Sequence, residues 1–338
     1  MSMQHHYIER FSGRVVEEKP LGDRLVRFIY DPVREKAPYI FKKITEARTS
    51  ALLGFLNYDF SLGHQLLGGG SFLRESGINF QECLQPPEYF NSVRKVFERQ
   101  IRYWECRPLP EKKDAIVSPA DSRVLIGSLE KVSELFVKGK FFQLEALLGV
   151  DKRCWLEAFS GGDFSIFRLT PDKYHYNHTP VAGAVVDFYE IDGPYHSCNP
   201  GAVVRMATPY SKNRRVVTII NTDVPGGSKI GLVAMIEVVA LMIGDIVQCY
   251  STLRYEDPSL MFRTLFLEKG APKSLFRPGS STDILLFQKG RIRFADDLLR
   301  NQRRQDIQSR FSAGFGYSLV ETDIKVRSLI AMPAKKEY

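Results

Sequence analysis

The chain has 338 residues, 44% of them hydrophobic and 25% charged, the balance of a folded globular protein, which excludes a disordered or collagen-like chain. A net charge of +8 points to anionic partners, and lipid headgroups come ahead of nucleic acid because no RNA-binding or zinc-finger signature accompanies the scattered Lys and Arg. Cys83, Cys106, Cys154, Cys198 and Cys249 are odd in number and far apart, with no Cys-x-x-Cys, so a zinc site or disulfide framework is disfavoured and reduced, mostly buried thiols of a cytoplasmic protein are expected.

From the N-terminus, Met1-Ser2-Met3-Gln4-His5-His6 lacks the apolar core of a signal peptide. The segment Arg24-Leu25-Val26-Arg27-Phe28-Ile29-Tyr30 has strand character. Helical spacing dominates from Pro38 to Tyr103: Ile44, Ala47, Ala51, Leu52 and Phe55 recur on one face, Gly68-Gly69-Gly70 interrupts, and Phe90, Val93, Val96 and Phe97 resume with Arg94, Lys95 and Arg99 interleaved. Such a helix either packs on the core or touches a membrane. Arg107-Pro108-Leu109-Pro110 marks a boundary.

Beyond it, from about 115 to 295, short β-rich runs such as 201–206 and 216–220 alternate with turn residues, and Leu144 to Leu148 reads as a helix. The longest apolar stretch, Ile230 to Val247, contains Glu237 and Asp245 as well as Gly231 and Gly244, so it reads as buried core rather than a membrane span. Glu237 receives no role. The expected architecture is α+β: a mostly helical N-terminal part (1–110), a β-rich, sandwich-like core (111–315) and a C-terminal extension (316–338) without an assigned role.

Three separated motifs carry the chemistry: Asp121 in Ser118-Pro119-Ala120-Asp121, His175 and His178 in Tyr174-His175-Tyr176-Asn177-His178-Thr179-Pro180, and Gly279-Ser280-Ser281-Thr282. An acid, a histidine and a serine are the parts that activate a hydroxyl. No Gly-x-Ser-x-Gly elbow is present. Instead the serines open the apolar run Ile284-Leu285-Leu286-Phe287, a strand, where a hydroxyl is placed to attack its own preceding carbonyl. The histidine pair has no third metal ligand nearby, so a metal site is not expected.

Together with Leu144-Glu145-Ala146-Leu147-Leu148-Gly149, Phe167-Arg168-Leu169, Asn199-Pro200, Asn213-Arg214-Arg215-Val216 and Gly231-Leu232-Val233-Ala234, these motifs resemble, in order and spacing over roughly residues 50–315, the phosphatidylserine decarboxylase family. The resemblance implies a proenzyme that cuts itself before a serine, through an ester and then dehydroalanine, and converts that serine into a pyruvoyl group. No external cofactor is then needed. That carbonyl condenses with a substrate amine and draws electrons as CO₂ leaves. An ungapped match makes Ser281 the precursor and 280/281 the cleavage site; a shift of one residue makes Gly279-Ser280 the scissile pair. The family usually has glycine where Ser122 and Ser280 stand. By the resemblance, His178 pairs with Asp121, which fixes its tautomer, and acts as base for self-cleavage, while His175 serves decarboxylation. The implied enzyme converts phosphatidylserine to phosphatidylethanolamine, sits peripherally on anionic membrane in the cytoplasm, keeps both cleavage fragments and forms a homodimer. The alternatives are a soluble pyruvoyl-dependent decarboxylase of a free amino acid and a lipid-binding member that never matures.

Overall fold

The run that follows Ser281 sends Ile284 and Leu286 into one hydrophobic layer and Leu285 and Phe287 into another, and the molecule is built around that strand. The computed structural model describes residues 4–18, 30, 37–46, 78–131, 133, 141–206, 208–241, 245–277 and 281–334. Its strands in chain order are β1 (His6–Glu9), β2 (Val15–Glu17), β3 (Ile116–Val117), β4 (Ser122–Ser128), β5 (Asp163–Leu169), β6 (Tyr176–His178), β7 (Gly183–Ile191), β8 (Arg215–Asn221), β9 (Leu232–Val238), β10 (Ile246–Gln248), β11 (Phe266–Leu267), β12 (Pro272–Phe276), β13 (Ser281–Phe287), β14 (Ile292–Phe294), β15 (Glu321–Ile324) and β16 (Leu329–Pro333).

Ten of these form one sheet in the order β11-β7-β8-β9-β13-β5-β4-β15-β1-β2, with β13 antiparallel to both neighbours. Two three-stranded sheets, β10-β12-β6 and β14-β16-β3, complete the sheets of the described residues. Ile116, Ile292, Phe294 and Ile330 from the second of these share a hydrophobic layer with Leu285 and Phe287. The opposite face is covered by the helices Leu144–Leu148, Arg153–Phe159, Pro200–Arg205 and Arg310–Phe315 through Leu147, Phe159, Val203 and Phe311. The architecture is therefore α+β with a layered, strand-rich core.

Several local expectations change. Residues 201–205 belong to the helix Pro200–Arg205 rather than a strand, with Met206 as its C-cap: the Asn199 side chain accepts from Gly201 N at 2.8 Å and Pro200 occupies the first turn, so the helix start overrides the β-branched valines. In the N-terminal part, β1 and β2 precede the helices Pro38–Thr45, Val93–Phe97 and Tyr103–Cys106, and they extend the large sheet. Strand structure also occupies the C-terminal segment: β15 pairs with β4 and β1, and β16 with β3 and β14, so the described main chain beyond 315 is part of the core. The helix Val93–Phe97 buries Val93, Val96 and Phe97 against the core. Arg24 to Ile29, Ala47, Ala51, Leu52, Phe55, Gly68 to Gly70, Gly279 and Ser280 lie outside the described residues. All five cysteines are free; Cys83 and Cys198 are buried, Cys106 and Cys249 half-buried and Cys154 exposed, fewer buried than expected.

Candidate active site

Asp121 stands at the end of a tight turn in which Ser118 Oγ donates to Ala120 O at 2.8 Å, and its side chain is buried. Arg107 Nε donates to Oδ1 at 3.0 Å and Nη2 to Oδ2 at 2.8 Å, while Val326 N donates to Oδ1 at 2.7 Å. Burial opposes ionisation, but the charges of Arg107 and Lys325 and these hydrogen bonds outweigh it and hold the carboxyl well below the usual range. Ser122 needs no left-handed backbone, so serine fits where the family usually has glycine.

His178 ends β6 and is fully buried. Its backbone N donates to Pro119 O at 2.7 Å, which anchors it beside the Asp121 turn. Asp121 does not bond the ring. Instead Nδ1 lies 2.9 Å from Gly270 O, a carbonyl that can only accept, so Nδ1 carries the proton. Thus the carbonyl, not the carboxylate, sets the tautomer, because Arg107 and Val326 already occupy Asp121. Gly270 has φ +78°, and a Cβ there would lie 2.8 Å from Leu109 and 2.9 Å from Arg327, so this turn requires glycine.

The other ring nitrogen, Nε2, is 3.0 Å from Tyr174 Oη, which is 2.8 Å from Tyr255 Oη, which donates to Ile101 O at 2.8 Å. This chain, from Gly270 O to Ile101 O, has four hydrogen bonds, whereas neutral His178, Tyr174 and Tyr255 supply one proton each, three in all. One more proton on His178 satisfies every link. Burial pushes the ring down to about 3, with the Arg327 and Arg107 charges in the same direction and the Gly270 carbonyl and Asp121 charge opposing them. At neutral pH the ring is neutral, the form that accepts a proton, and the waiting hydrogen-bond chain is ready to hold it.

His175 is also buried; its Nδ1 donates to Lys173 O at 2.7 Å, and its ring centroid lies 4.5 Å from that of Phe97. Phe276 N donates to His175 O, tying this segment to β12, the strand that leads towards Ser281. The described residues thus bring Asp121 and His178 into one neighbourhood and join His175 to the same sheet edge.

Ser281 opens β13 opposite Leu169 and is fully buried; its Oγ has no hydrogen-bond partner among the described residues. Thr282 points to the other face and donates to Cys198 Sγ at 3.2 Å. On the Ser281 face follow Asp283 and, directly across on β9, Glu237. Lys273 Nζ lies 2.7 Å from Glu237 Oε2, Gln248 Nε2 donates to the same oxygen at 3.1 Å, and Ser274 Oγ donates to Oε1. A register shift between Pro272 and Ser274 lets the adjacent Lys273 and Ser274 reach the same carboxylate.

A further buried charge group joins the N-terminal segment to the core. Arg168 on β5 donates to Glu18 and Glu321, and His5 Nε2 lies 2.8 Å from Glu321 Oε2. His5, Glu18 and Glu321 are close enough to share a cation. However, His5 Nδ1 accepts from Arg310 N, so Nε2 is the protonated nitrogen, and the Arg168 guanidinium occupies the carboxylates. This group fits an arginine clamp, not a metal.

Arg107, Tyr174, Tyr255, Lys273 and Asp283 were not expected in the site. Asp283 had a visible signal, a charged residue entering an otherwise apolar strand; the others are ordinary sequence positions that only the fold assembles.

The profile of the family described as phosphatidylserine decarboxylase matches residues 93–313. The chain is 30% identical to a phosphatidylserine decarboxylase proenzyme of Fusobacterium nucleatum over 310 residues, covering 91% of this chain and 95% of the relative. It is 29% identical to the Chlamydia trachomatis proenzyme, with 91% and 95% covered. A proenzyme 2 of Oryza sativa is 33% identical over 75% of this chain and 38% of its own length.

Proposed function

The chain belongs to the phosphatidylserine decarboxylase family, and we propose that it converts phosphatidylserine to phosphatidylethanolamine with a pyruvoyl group made from its own Ser281. The observation that carries this reading is the buried, unpartnered Ser281 hydroxyl at the head of the central strand. An orphaned hydroxyl in that position fits a group destined for chemistry better than a structural serine. The pyruvoyl group supplies a carbonyl that withdraws electrons from a bound substrate amine as CO₂ leaves.

In this reading the Ser281 hydroxyl attacks the Ser280 carbonyl and His178 accepts the hydroxyl proton. The Gly270 carbonyl and the Tyr174–Tyr255 chain hold the resulting imidazolium, and the Asp121 charge favours it. His175 serves the later decarboxylation. Cleavage at 280/281 yields two fragments that stay together. Gly279-Ser280 is the alternative scissile pair.

Among the described residues no helix is long and apolar enough to cross a membrane. Peripheral binding to anionic lipid on the cytoplasmic side is supported by the net charge of +8 and by the helix Pro38–Thr45, which exposes Tyr39 beside Lys42 and Lys43. Homodimerisation enters from the family resemblance. Intact-mass spectrometry of the purified protein is the test: a fragment beginning at residue 281 with a pyruvoyl cap is expected, and a single uncut chain would refute the reading.

A further inference from the structure

Among the described residues, Asp283 is a buried titratable group that takes no part in the proposed cleavage. It is fully buried, and among the described residues neither carboxyl oxygen has a hydrogen-bond partner. Such a group is costly to keep unless it serves a purpose. Ser281 Oγ, two residues away on the same strand face, is orphaned in the same way. Their Cα atoms are about 6.6 Å apart along the strand, so the two side chains are next neighbours on that face.

The surroundings decide which form Asp283 takes. Glu237 stands opposite on β9, Lys273 on β12 pairs with Glu237, and Phe167 stands opposite on β5. Asn177 on β6 and Gln248 on β10 add polar but uncharged groups, and the Cys249 thiol beyond β10 is itself pushed up to about 12 by burial and Glu237. Lys273 is paired with Glu237, and among the described residues no cation is paired with Asp283. Burial, then the Glu237 charge, raise its pKa well above the usual carboxyl range, with Lys273 opposing. These surroundings favour the protonated form of Asp283, an acid with a proton to give.

An amide nitrogen leaves as an amine only when it gains a proton, which the newly protonated base or a separate acid can supply. We propose that Asp283 is the acid of the self-cleavage step, handing its proton to the Ser281 nitrogen as the bond from that nitrogen to the Ser280 carbonyl carbon breaks. This rests on the reading of Ser281 as the self-cleaving residue. In the step, the Oγ–carbonyl bond forms and the carbonyl–nitrogen bond breaks. The hydroxyl proton goes to His178 and the Asp283 proton goes to the nitrogen. One group gains a positive charge and the other a negative charge, so the total is unchanged, and Lys273 is near to steady the new carboxylate.

The test follows cleavage of the full-length chain, made in a cell-free system, by time-resolved mass spectrometry. Ser281→Ala, Asp283→Asn, Asp283→Leu, Asp283→Glu and Glu237→Gln are compared with the parent. Asp283→Asn and Asp283→Leu are expected to slow cleavage by about 100-fold or more, the usual weight of a positioned acid, and Asp283→Glu to restore part of the rate. Asp283→Leu replaces an unpartnered carboxyl by an apolar group of similar size, so its melting temperature should match or exceed the parent's while cleavage is lost. The parent rate should fall at alkaline pH, and Glu237→Gln should move that fall to lower pH, because removing a neighbouring negative charge eases ionisation of Asp283. If Ser281→Ala stays uncut but Asp283→Asn and Asp283→Leu cut at the parent rate, the acid role is overturned and the Ser281 reading survives. Slow cleavage by an Asp283→Leu chain that also melts lower would reduce Asp283 to a structural part and overturn the role as well. If Ser281→Ala itself is cut, both readings fall together.

Discussion

Arg107 clasps Asp121 through two parallel hydrogen bonds of 3.0 and 2.8 Å, joining the end of the N-terminal part to the acid expected to serve the histidine. Both side chains are nearly excluded from solvent, at 5% and 3% exposure, so neither tolerates loss of the other. Arg107→Ala should destabilise the uncut protein by about 3–5 kcal/mol, the cost of an uncompensated buried charge. The double variant Arg107→Ala/Asp121→Ala should be more stable than Arg107→Ala alone. Urea unfolding of the Ser281→Ala background measures this without interference from cleavage, and strictly additive losses would contradict the pairing.

The buried ring of His178 predicts an acid-sensitive fold. The unfolded histidine takes a proton below about pH 6.5, whereas the folded ring resists until about pH 3. The contribution is present above pH 6.5 and is lost as pH falls, by about 1.4 kcal/mol per pH unit inside that window. Asp121, whose folded pKa is depressed, adds a separate loss that begins lower, near the ordinary aspartate value of about 3.9. His178→Gln should flatten the upper window and leave the lower one. An unchanged slope between pH 6 and 4 in that variant would show that His178 is not the group responsible.

Self-cleavage itself should need Ser281, His178 and Asp121. Ser281→Ala should leave one uncut chain, and His178→Ala and Asp121→Ala should block or greatly slow cutting, with losses that do not add because the residues act as a unit. His175→Ala should cut but decarboxylate poorly. Denaturing electrophoresis and product analysis separate these outcomes. Cutting in Ser281→Ala but not in Ser280→Ala would move the site by one residue.

Tyr255 and Tyr174 should matter to the cleavage rate although neither reaches the serine as a reactant. Tyr255→Phe removes the link to Ile101 O, so a proton arriving on His178 no longer completes the chain. A slowing of about tenfold is expected, equivalent to one lost hydrogen bond to a charged group, about 1.5 kcal/mol. Quench-time mass spectrometry reads it, and parent-like kinetics in both Tyr174→Phe and Tyr255→Phe would show that the tyrosine chain has no part in cleavage.

Binding to anionic vesicles should be peripheral and fall with added salt, since each basic residue near the surface contributes about 1 kcal/mol within a Debye length. Co-sedimentation across a salt series tests it. Absence of binding at low salt, joined to turnover of free amino acids, would favour a soluble decarboxylase.

The strands that carry Ser281 and Val216 to Ile220 were legible because β-branched and apolar runs leave little choice, and Leu144–Leu148 because its spacing is helical. The segment Pro200–Arg205 misled because its valines favour strand, while the cap that decides it is a single Asn199 side chain. Asp121 and His178 could be found as motif residues, yet their partners could not. The Gly270 carbonyl and the Arg107 guanidinium reach them by tertiary packing, and no spacing encodes which of several donors will arrive. Residues beyond 315 looked peripheral because their strands are short and are completed by β4, β1 and β3, distant in sequence.

The central place of β13 gives cleavage a kinetic consequence. The piece beginning at Ser281 would carry β13, held between β5 and β9, as well as β15 and β16, held by β1, β4 and β3. An uncut chain folds by itself, at a rate independent of how much is present. A cut one, once unfolded, must find its other half by diffusion, so refolding becomes second order and apparent stability rises with concentration. Maturation thus converts a protein that can recover from denaturation alone into one that recovers only in company, and the fold is best assembled before the bond is broken.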